Sequence, residues 1–202
     1  LSENREQIAW VKQLWPEHAR YLDVYHHYHL TGERSVFAHG IHLDDAEWQC
    51  LHDTGSAVAF CPTSNLFLGS GLFRLPACWQ HQVRMRIGSD VGAGTTFSML
   101  RTLGEAYKVG QLQSYRLRAS EACSPATLGG ARALRLEEKI GNFQPGKEAD
   151  FVVIDPAVTP LQRLRIGRCH DIYEQLFVLM TLGDERNISE TWVNGERVWC
   201  QD

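Results

Sequence analysis

The sequence predicts an α/β fold in which parallel strands are joined by helices. Three short strand patterns, 35–39, 57–61 and 84–88, alternate with helical patterns, the third being an apolar run that Arg84 and Arg86 interrupt. This alternation is typical of parallel sheets with helical crossovers. A single acid, Asp90, follows the third segment and precedes a glycine-containing loop. Because the carboxyl ends of barrel strands carry the active site, we hypothesise a βα-barrel in which Asp90 is a metal ligand and proton acceptor.

Polar residues also follow the first two strands. His39 ends the first, and the segment 62–65, predicted to be a loop, follows the second. Side chains at successive ends of parallel strands converge in space, as a shared substrate requires. An open doubly wound sheet would need a glycine-rich phosphate turn after its first strand, and residues 92–94 do not match that fingerprint.

Helical patterns precede and follow these strands. In the first helix, apolar residues recur at helical spacing until Pro16 ends the pattern. Asp44 and Asp45 fit the cap of the helix after the first strand. A glycine-containing loop at 66–72 precedes the helix that leads into the third strand. The predicted helices lie at 3–15, 19–30, 44–52, 75–81, 98–112 and 119–134.

The composition changes near residue 140, where a turn-rich segment begins. Beyond it, Asn194-Gly195 between two strand patterns is the strongest short hairpin signal in the chain. The predicted elements here are strands at 149–155, 188–193 and 197–199 and a helix at 171–182. We therefore predict two regions: 1–138 as later strands and helices of the barrel, and 139–202 as a segment of a small β-domain with a returning helix at about 170–182.

Composition and charge indicate an ordinary globular chain. Of the 202 residues, 44% are hydrophobic and 22% are charged, which suffices for a sizeable core. The formal net charge is −4, and the scattered basic residues suggest neither nucleic acid nor a membrane surface as a partner. No apolar run reaches the roughly 20 residues that span a bilayer, and we expect no signal peptide.

The six cysteines are widely spaced and form no Cys-x-x-Cys pair. This spacing argues against a zinc knuckle and against a disulfide framework. We expect free, buried thiols and a cytoplasmic location, since the cytosol keeps thiols reduced.

Three residues are candidates for chemistry, and each also has an ordinary structural explanation. Asp90 could belong to a turn or cap a helix, and His39 could be a core histidine bonded to the backbone. Glu3 could simply place its charge at the amino-terminal end of a helix, where the dipole favours it. The position of Asp90 in phase with His39 at a strand end favours an active-site role. His42 is expected at the surface.

Two other patterns are weaker candidates. His26, His27 and His29 could bind a metal, but no carboxylate or cysteine lies at matching spacing, so we interpret them as a polar or half-buried helical face. No Gly-x-Ser-x-Gly elbow occurs, and Cys61 is followed by a proline in an apolar strand rather than placed beside a base. Nucleophilic catalysis by Ser or Cys is therefore weakly supported.

An ordered set of motifs resembles the carboxyl-terminal half of the amidohydrolase superfamily, and most closely its guanine-deaminating members. A single motif such as Ala-His-Gly is a weak signal, whereas the ordered set covers essentially the whole chain. The matching segments are Ser2-Glu3-Asn4, Ala38-His39-Gly40, Cys61-Pro62-Thr63-Ser64-Asn65, Gly88-Ser89-Asp90-Val91, the segment 93–100, Ala126-Thr127-Leu128-Gly129-Gly130-Ala131, the segment 141–150 and the segment 181–188.

The resemblance implies a (β/α)8 barrel of the TIM type with one catalytic zinc ion (Zn2+) and a small β-sandwich domain. Asp90 matches the zinc-binding aspartate of the last barrel strand. Glu3 matches the glutamate of a His-x-x-Glu motif, and His39 matches a histidine beside the metal. The implied substrate contacts are Leu1, Ser2, Glu3 and Asp90. The implied partners are guanine, water and a second copy of the chain in a homodimer.

The implied reaction is hydrolytic deamination of guanine to xanthine and ammonia. Zinc lowers the pKa of its bound water so that hydroxide exists near neutral pH, and Asp90 would accept the proton. Glu3 would protonate a ring nitrogen and carry a proton to the leaving amine. His39 would orient the hydroxide or the intermediate.

The chain carries one of the four zinc ligands that the resemblance implies, and it begins at Leu1 without an initiator Met. We therefore expect these residues to be part of a longer protein and to be inactive and unstable alone, since a catalytic zinc site needs three or more ligands and half a barrel has open sheet edges. Two alternatives remain open: a related hydrolase acting on another purine, a pterin or a triazine, and a non-catalytic remnant of the fold.

Overall fold

The computed structural model describes residues 1–201. Helices and strands alternate through the first two-thirds of the chain, as the apolar segments predict. The elements in order are α1 (Arg5–Leu14), α2 (Tyr21–His27), β1 (Val36–Ala38), α3 (Asp45–Thr54), β2 (Ala57–Phe60), α4 (Pro62–Phe67), α5 (Leu75–Gln80), β3 (Arg84–Ile87), α6 (Met99–Leu112), α7 (Ala119–Cys123), a 3₁₀ turn (Ser124–Ala126) and α8 (Leu128–Ala133).

Strands β1, β2 and β3 form a parallel sheet in that order, which confirms the predicted α/β arrangement. Residues 1 and 2 continue the sheet beside β1. The Leu1 nitrogen donates to the Ala38 carbonyl at 3.0 Å, and the Gly40 N–H donates to the Leu1 carbonyl at 2.9 Å. This is the slanted hydrogen-bond pattern of parallel neighbours. Glu3 therefore leaves the sheet at the edge where β1, β2 and β3 also end.

The two faces of the sheet have different residues. On the outer face, Val58 and Phe60 of β2 pack against the helices, and the Phe60 ring stacks on Phe73 at 4.6 Å between centroids. Burying such side chains contributes about 1.5–3 kcal/mol each to folding. On the other face, Ala59 lies beside Arg86 of β3 in the sheet register, because successive side chains of a strand alternate between faces.

The last third of the chain forms an antiparallel sheet in the order β4–β5–β6, with the predicted Asn-Gly turn between β5 and β6. Helix α10 leaves this sheet and packs on α6, where Tyr107 and Phe177 meet edge to face at 5.3 Å. The elements are β4 (Phe151–Ile154), α9 (Pro160–Ile166), α10 (Ile172–Leu182), a 3₁₀ turn (Glu185–Asn187), β5 (Ile188–Val193) and β6 (Glu196–Cys200).

Three details differ from the sequence prediction. The predicted loop at 62–65 is the first turn of α4, since Pro62 fits the first position of a helix, where no N–H is needed. The predicted helix at 119–134 is broken into α7, the 3₁₀ turn and α8, because the backbone at Thr127 is not helical (φ −131°, ψ −114°). Helix α9 is absent from the prediction.

All six cysteines are free, as predicted. Burial is uneven among them: Cys61 and Cys78 are buried, whereas Cys200 is exposed. Within residues 1–201, the helices are all too short or too polar to cross a membrane.

Candidate active site

Polar side chains converge at the carboxyl edge of the parallel sheet. His39 follows β1, Cys61 follows β2 and Asp90 lies three residues after β3. Each of these three side chains offers a donor atom, and the three atoms lie within 4.8 Å of one another. Within residues 1–201, no other group of three His, Cys, Asp or Glu residues is this close. The strand ends therefore build one site.

The imidazole of His39 is at the centre of the site. Its Nδ1 lies 3.0 Å from Nδ2 of Asn65 and 3.6 Å from Oε1 of Glu3. Its Nε2 lies 4.0 Å from Oδ2 of Asp90. The structure thus brings together Glu3, His39 and Asp90, the three candidates for chemistry.

The backbone is left-handed at three of these strand ends. Ser2, His39 and Asp90 have φ of 45°, 72° and 50°. For residues with a Cβ this conformation is costly, and such residues cluster where the surrounding structure holds an active-site geometry. Strain at three neighbouring strand ends supports a functional role for this edge of the sheet.

Burial sets the protonation of the two inner groups. It lowers the pKa of His39, although the nearby Glu3 and Asp90 carboxylates act in the opposite direction. It also raises the pKa of the Cys61 thiol to about 11, and the charge of Asp90 adds to that rise. Both groups are therefore neutral near pH 7 in the absence of a metal.

Glu3 is held by a residue that the sequence does not single out. The Ser70 hydroxyl donates to Oε1 of Glu3 at 3.2 Å, and the Ser70 carbonyl lies 3.1 Å from Nε2 of His42. His42, which we expected at the surface, is half-buried. Its ring supports the loop that carries Ser70, so it acts on the site indirectly.

Leu1 and Ser2, the other predicted substrate contacts, lie beside Glu3. Leu1 is half-buried and packs against the hydrophobic core. Ser2 is 1% exposed, and its hydroxyl has no hydrogen-bond partner among residues 1–201.

Two further site residues escape the sequence reasoning. Cys61, which the sequence places beside no base, has its thiol in the same cluster as His39 and Asp90. Asn65 contacts His39 because α4 turns it back toward the sheet, whereas the sequence predicts a loop there. The signal for both is their position directly after the second strand. By contrast, His26, His27 and His29 are exposed and do not belong to this cluster.

A tight turn follows Asp90 and leads to α6. The Gly94 N–H donates to the Asp90 carbonyl at 2.5 Å, and the Thr63 hydroxyl donates to the Ser89 carbonyl at 3.1 Å. Phe97, near the end of this loop, is 84% exposed. Asp90 is consequently fixed by its backbone while its carboxylate, 38% exposed, faces open space.

The donors at the site suit zinc. Carboxylates are among the groups that bind Zn²⁺ in proteins. Asp90 supplies an exposed carboxylate here, within 4.8 Å of the imidazole of His39 and the thiol of Cys61.

Comparison with known proteins gives relatives over nearly the whole chain. The model of the amidohydrolase family matches residues 1–198. Guanine deaminase of Escherichia coli is 59% identical over 199 residues, which are 98% of this chain and 45% of that protein. The chain spans about half the length of the relatives that it matches.

Solved structures agree with this relation. The E. coli guanine deaminase structure matches with a TM-score of 0.98 and 58% identity, over 100% of this chain and 47% of that one. Guanine deaminase from C. acetobutylicum with bound guanine matches at 0.86 and 30%, over 98% and 47%. An adenosine deaminase from Xanthomonas campestris with bound zinc matches at 0.86 and 26%, over 99% and 44%.

Proposed function

The chain belongs to the amidohydrolase family, and from that premise we propose that it is the carboxyl-terminal part of a zinc-dependent guanine deaminase. The reaction joins guanine and water to give xanthine and ammonia. The observation that carries the proposal is the convergence of Glu3, His39 and Asp90 at one edge of the parallel sheet. The identity to the E. coli enzyme, 59%, supports guanine as the substrate.

Asp90 is the zinc ligand that this chain supplies, and the remaining ligands come from the rest of the full-length protein. When bound, zinc acts as a Lewis acid and lowers the pKa of a bound water. The Asp90 carboxylate would accept a proton from the attacking water, because it faces open space and forms no ion pair with a Lys or Arg among residues 1–201. His39 orients the attacking oxygen through Nε2.

Glu3 is the general acid–base. Its side chain is 16% exposed and its Oε1 accepts a hydrogen bond from Ser70, so the Glu3 carboxylate has a fixed position in the site. The water oxygen bonds to C2 of guanine while Glu3 donates a proton to the ring nitrogen. Glu3, now a carboxylate, takes up the proton of the new hydroxyl on C2 and passes it to the amine, so that the C–N bond breaks, ammonia leaves and a carbonyl remains at C2. The proton held by Asp90 then returns to Glu3. Leu1 and Ser2 contact the purine beside Glu3, and the loop 91–97 lies against it.

The proposal also covers the domains, the oligomeric state and the location of the full-length protein. The antiparallel sheet β4–β5–β6 is part of a small β-sandwich domain, with the boundary between the two regions at 138 and 139. The sheet segment 1–3, β1, β2 and β3 are the last strands of a (β/α)8 barrel. The protein is a homodimer, and sedimentation of the full-length protein would test this. It is cytoplasmic, since free thiols suit a reducing compartment.

Two substitutions in the full-length protein test the roles. Asp90→Ala should lose both zinc, measured by mass spectrometry of the metal, and ammonia release from guanine. Glu3→Gln should keep zinc but lose several orders of magnitude in kcat, since an amide cannot transfer the proton. Asp53→Asn is the matched control, because Asp53 is an exposed acid on α3. If Asp90→Ala retained zinc and normal turnover, the metal assignment would be wrong; near-normal turnover by Glu3→Gln would remove the shuttle role.

The second candidate is deamination of another purine, a pterin or a triazine. The structural similarity to an adenosine deaminase, with a TM-score of 0.86, supports this second candidate. Ammonia release measured with guanine, adenosine, a pterin and a triazine decides between the two candidates. The first requires the highest kcat/KM with guanine, and the second requires it with one of the other substrates.

A further inference from the structure

We propose that Asn65 is a positioning residue that holds the ring of His39 with its protonated Nε2 directed at Asp90. The geometric part of the inference stands on its own, whereas its effect on turnover rests on the proposed function. In this proposal Asn65 acts on the reaction through His39 alone.

Asn65 is fixed by its backbone and fully enclosed. It lies in the first turn of α4 and is 1% exposed. Its N–H donates to the Cys61 carbonyl at 2.9 Å, and its carbonyl accepts from the Ser70 N–H at 2.9 Å. These bonds fix the backbone that carries the side-chain amide, and its burial leaves the amide little room to turn away from His39.

The contact specifies which imidazole nitrogen carries the proton. With the Asn65 amide oriented as it is in the structure, its nitrogen is a donor, so Nδ1 of His39, 3.0 Å away, is the unprotonated acceptor. The proton of the neutral ring then lies on Nε2, which faces Oδ2 of Asp90. Glu3 does not compete for a proton on Nδ1, because 3.6 Å is beyond hydrogen-bond distance.

His39 needs such a partner. Its backbone is left-handed, and so is that of Gly40, so the strand geometry that would orient a side chain ends before the imidazole. Among residues 1–201, Asn65 alone gives the ring a hydrogen bond. Partners of this kind around metal sites set the tautomer and the orientation of a histidine, and their loss typically costs 10–100-fold in affinity or activity.

The oxygen of the Asn65 side-chain amide shows that packing alone does not account for an asparagine at this position. Its Oδ1 is buried without a hydrogen-bond partner among the described residues. A buried polar atom without a partner is destabilising, and an apolar side chain of the same size would avoid that cost. The stabilising benefit of an amide here is thus limited to its contact with His39.

The test uses the full-length, zinc-loaded protein and three variants. In Asn65→Leu the ring loses its hydrogen bond, and in Asn65→Asp a carboxylate offers an acceptor in place of the donor. Ser64→Ala is the matched control, since Ser64 is a neighbour in α4, is 0% exposed and has a buried hydroxyl without a partner.

The first readout is the tautomer of His39, measured by ¹⁵N NMR of histidine-labelled protein and assigned by the signal missing in His39→Gln. We expect an unprotonated Nδ1 in the wild type and in Ser64→Ala, and a protonated Nδ1 in Asn65→Asp. The second readout is kinetic: kcat of Asn65→Leu falls roughly 10–100-fold, with zinc content unchanged and KM within about threefold.

A wild-type ring protonated on Nδ1 would overturn the proposal, as would Asn65→Asp with the wild-type tautomer. An equal loss of kcat in Ser64→Ala and Asn65→Leu would overturn it too, since that result indicates a packing role. If Asn65→Leu does not fold, the wild-type and Asn65→Asp spectra still decide. Failure of the proposed function is distinguishable, because it appears as a wild-type protein that releases no ammonia from guanine.

Discussion

Asp90 is positioned by a turn whose geometry depends on Gly94. A Cβ added at Gly94 would lie 1.7 Å from the Ser89 carbonyl oxygen and 2.9 Å from that of Asp90. Both atoms belong to the backbone, so in Gly94→Ala the turn must open and displace Asp90. We expect a loss of about 1–3 kcal/mol in the free energy of unfolding and a large loss of ammonia release, measured by urea denaturation and by turnover of the full-length protein.

Gly32→Ala is the control for that substitution. Nothing lies within 4 Å of a Cβ added at Gly32, so the change should stay within about 0.5 kcal/mol. Equal turnover by Gly94→Ala and Gly32→Ala would contradict the role of the turn.

At the residue scale, the sequence identifies the site residues that end strands and misses those that reach the site from a loop or helix. His39 and Asp90 are recognisable because each closely follows a short strand. Asn65 and Ser70 depend on how α4 and the following loop fold back over the sheet. Such contacts between residues distant in sequence have no periodic signal, since they arise from tertiary packing.

At the element scale, strands and capped helices are predictable, while short and broken helices are not. Helix α3 begins with the reciprocal hydrogen bonds of Asp44 and Glu47, a signal that the sequence carries openly. Helix α9 has the same signal, since Thr159 and Gln162 form a capping box around Pro160, but it is short and lies in a loop-rich segment. The break before α8 depends on the non-helical backbone of Thr127, which no apolar pattern indicates.

The packing of α6 on α10 requires a glycine at position 104. A Cβ there would lie 2.9 Å from the Met180 carbonyl oxygen of α10. Helix propensity alone predicts that Gly104→Ala stabilises by roughly 0.8–1 kcal/mol, whereas overpacking costs about 1–3 kcal/mol. We expect the steric effect to dominate, so that the urea midpoint falls.

The sign of that change is the test, because helix propensity and packing predict opposite directions. Gln111→Ala, at an exposed position of the same helix, should shift the midpoint little. A higher midpoint for Gly104→Ala than for the wild type would show that the two helices are not in close contact at this point.

The turn between α10 and β5 should make stability depend on pH. Hydrogen bonds from Arg186 lower the pKa of the Asp184 carboxyl below its ordinary value of 3.8. The folded state therefore binds fewer protons than the unfolded state between these two pKa values. The stabilisation by Asp184 is complete above 3.8 and is lost as the pH falls through the lowered pKa.

Comparison of the wild type with Asp184→Asn measures this contribution. The difference in urea midpoint should be constant between about pH 5 and pH 7 and should shrink below the ordinary carboxyl pKa. Glu185→Gln, at an exposed neighbouring position, should give a small difference throughout. A wild-type advantage over Asp184→Asn that grows on acidification would refute the assignment.

At the scale of the whole molecule, helices pack on the face of the parallel sheet that carries Val58 and Phe60. Among residues 1–201, the outer members of this sheet are the segment 1–2 and β3. The other face carries Ala59 beside Arg86, whose Nε is buried but has no hydrogen-bond partner among these residues. The sequence predicts parallel strands joined by helices, and within residues 1–201 these strands form an open sheet rather than a closed barrel. A closed barrel would cover this face and pair both edges.

The separated chain is the last and broadest test of the proposal. Only Asp90 among the expected zinc ligands lies in these 202 residues, and a catalytic zinc site needs three protein ligands. We expect the chain, expressed alone, to retain less than stoichiometric zinc after gel filtration, to release no ammonia from guanine and to associate through its open sheet edges. Mixing it with the remaining part of the full-length protein should restore zinc and turnover, because the two parts then pair their edges. Turnover by the separated chain at the full-length rate would mean that its own residues, His39 and Cys61 included, complete the metal site.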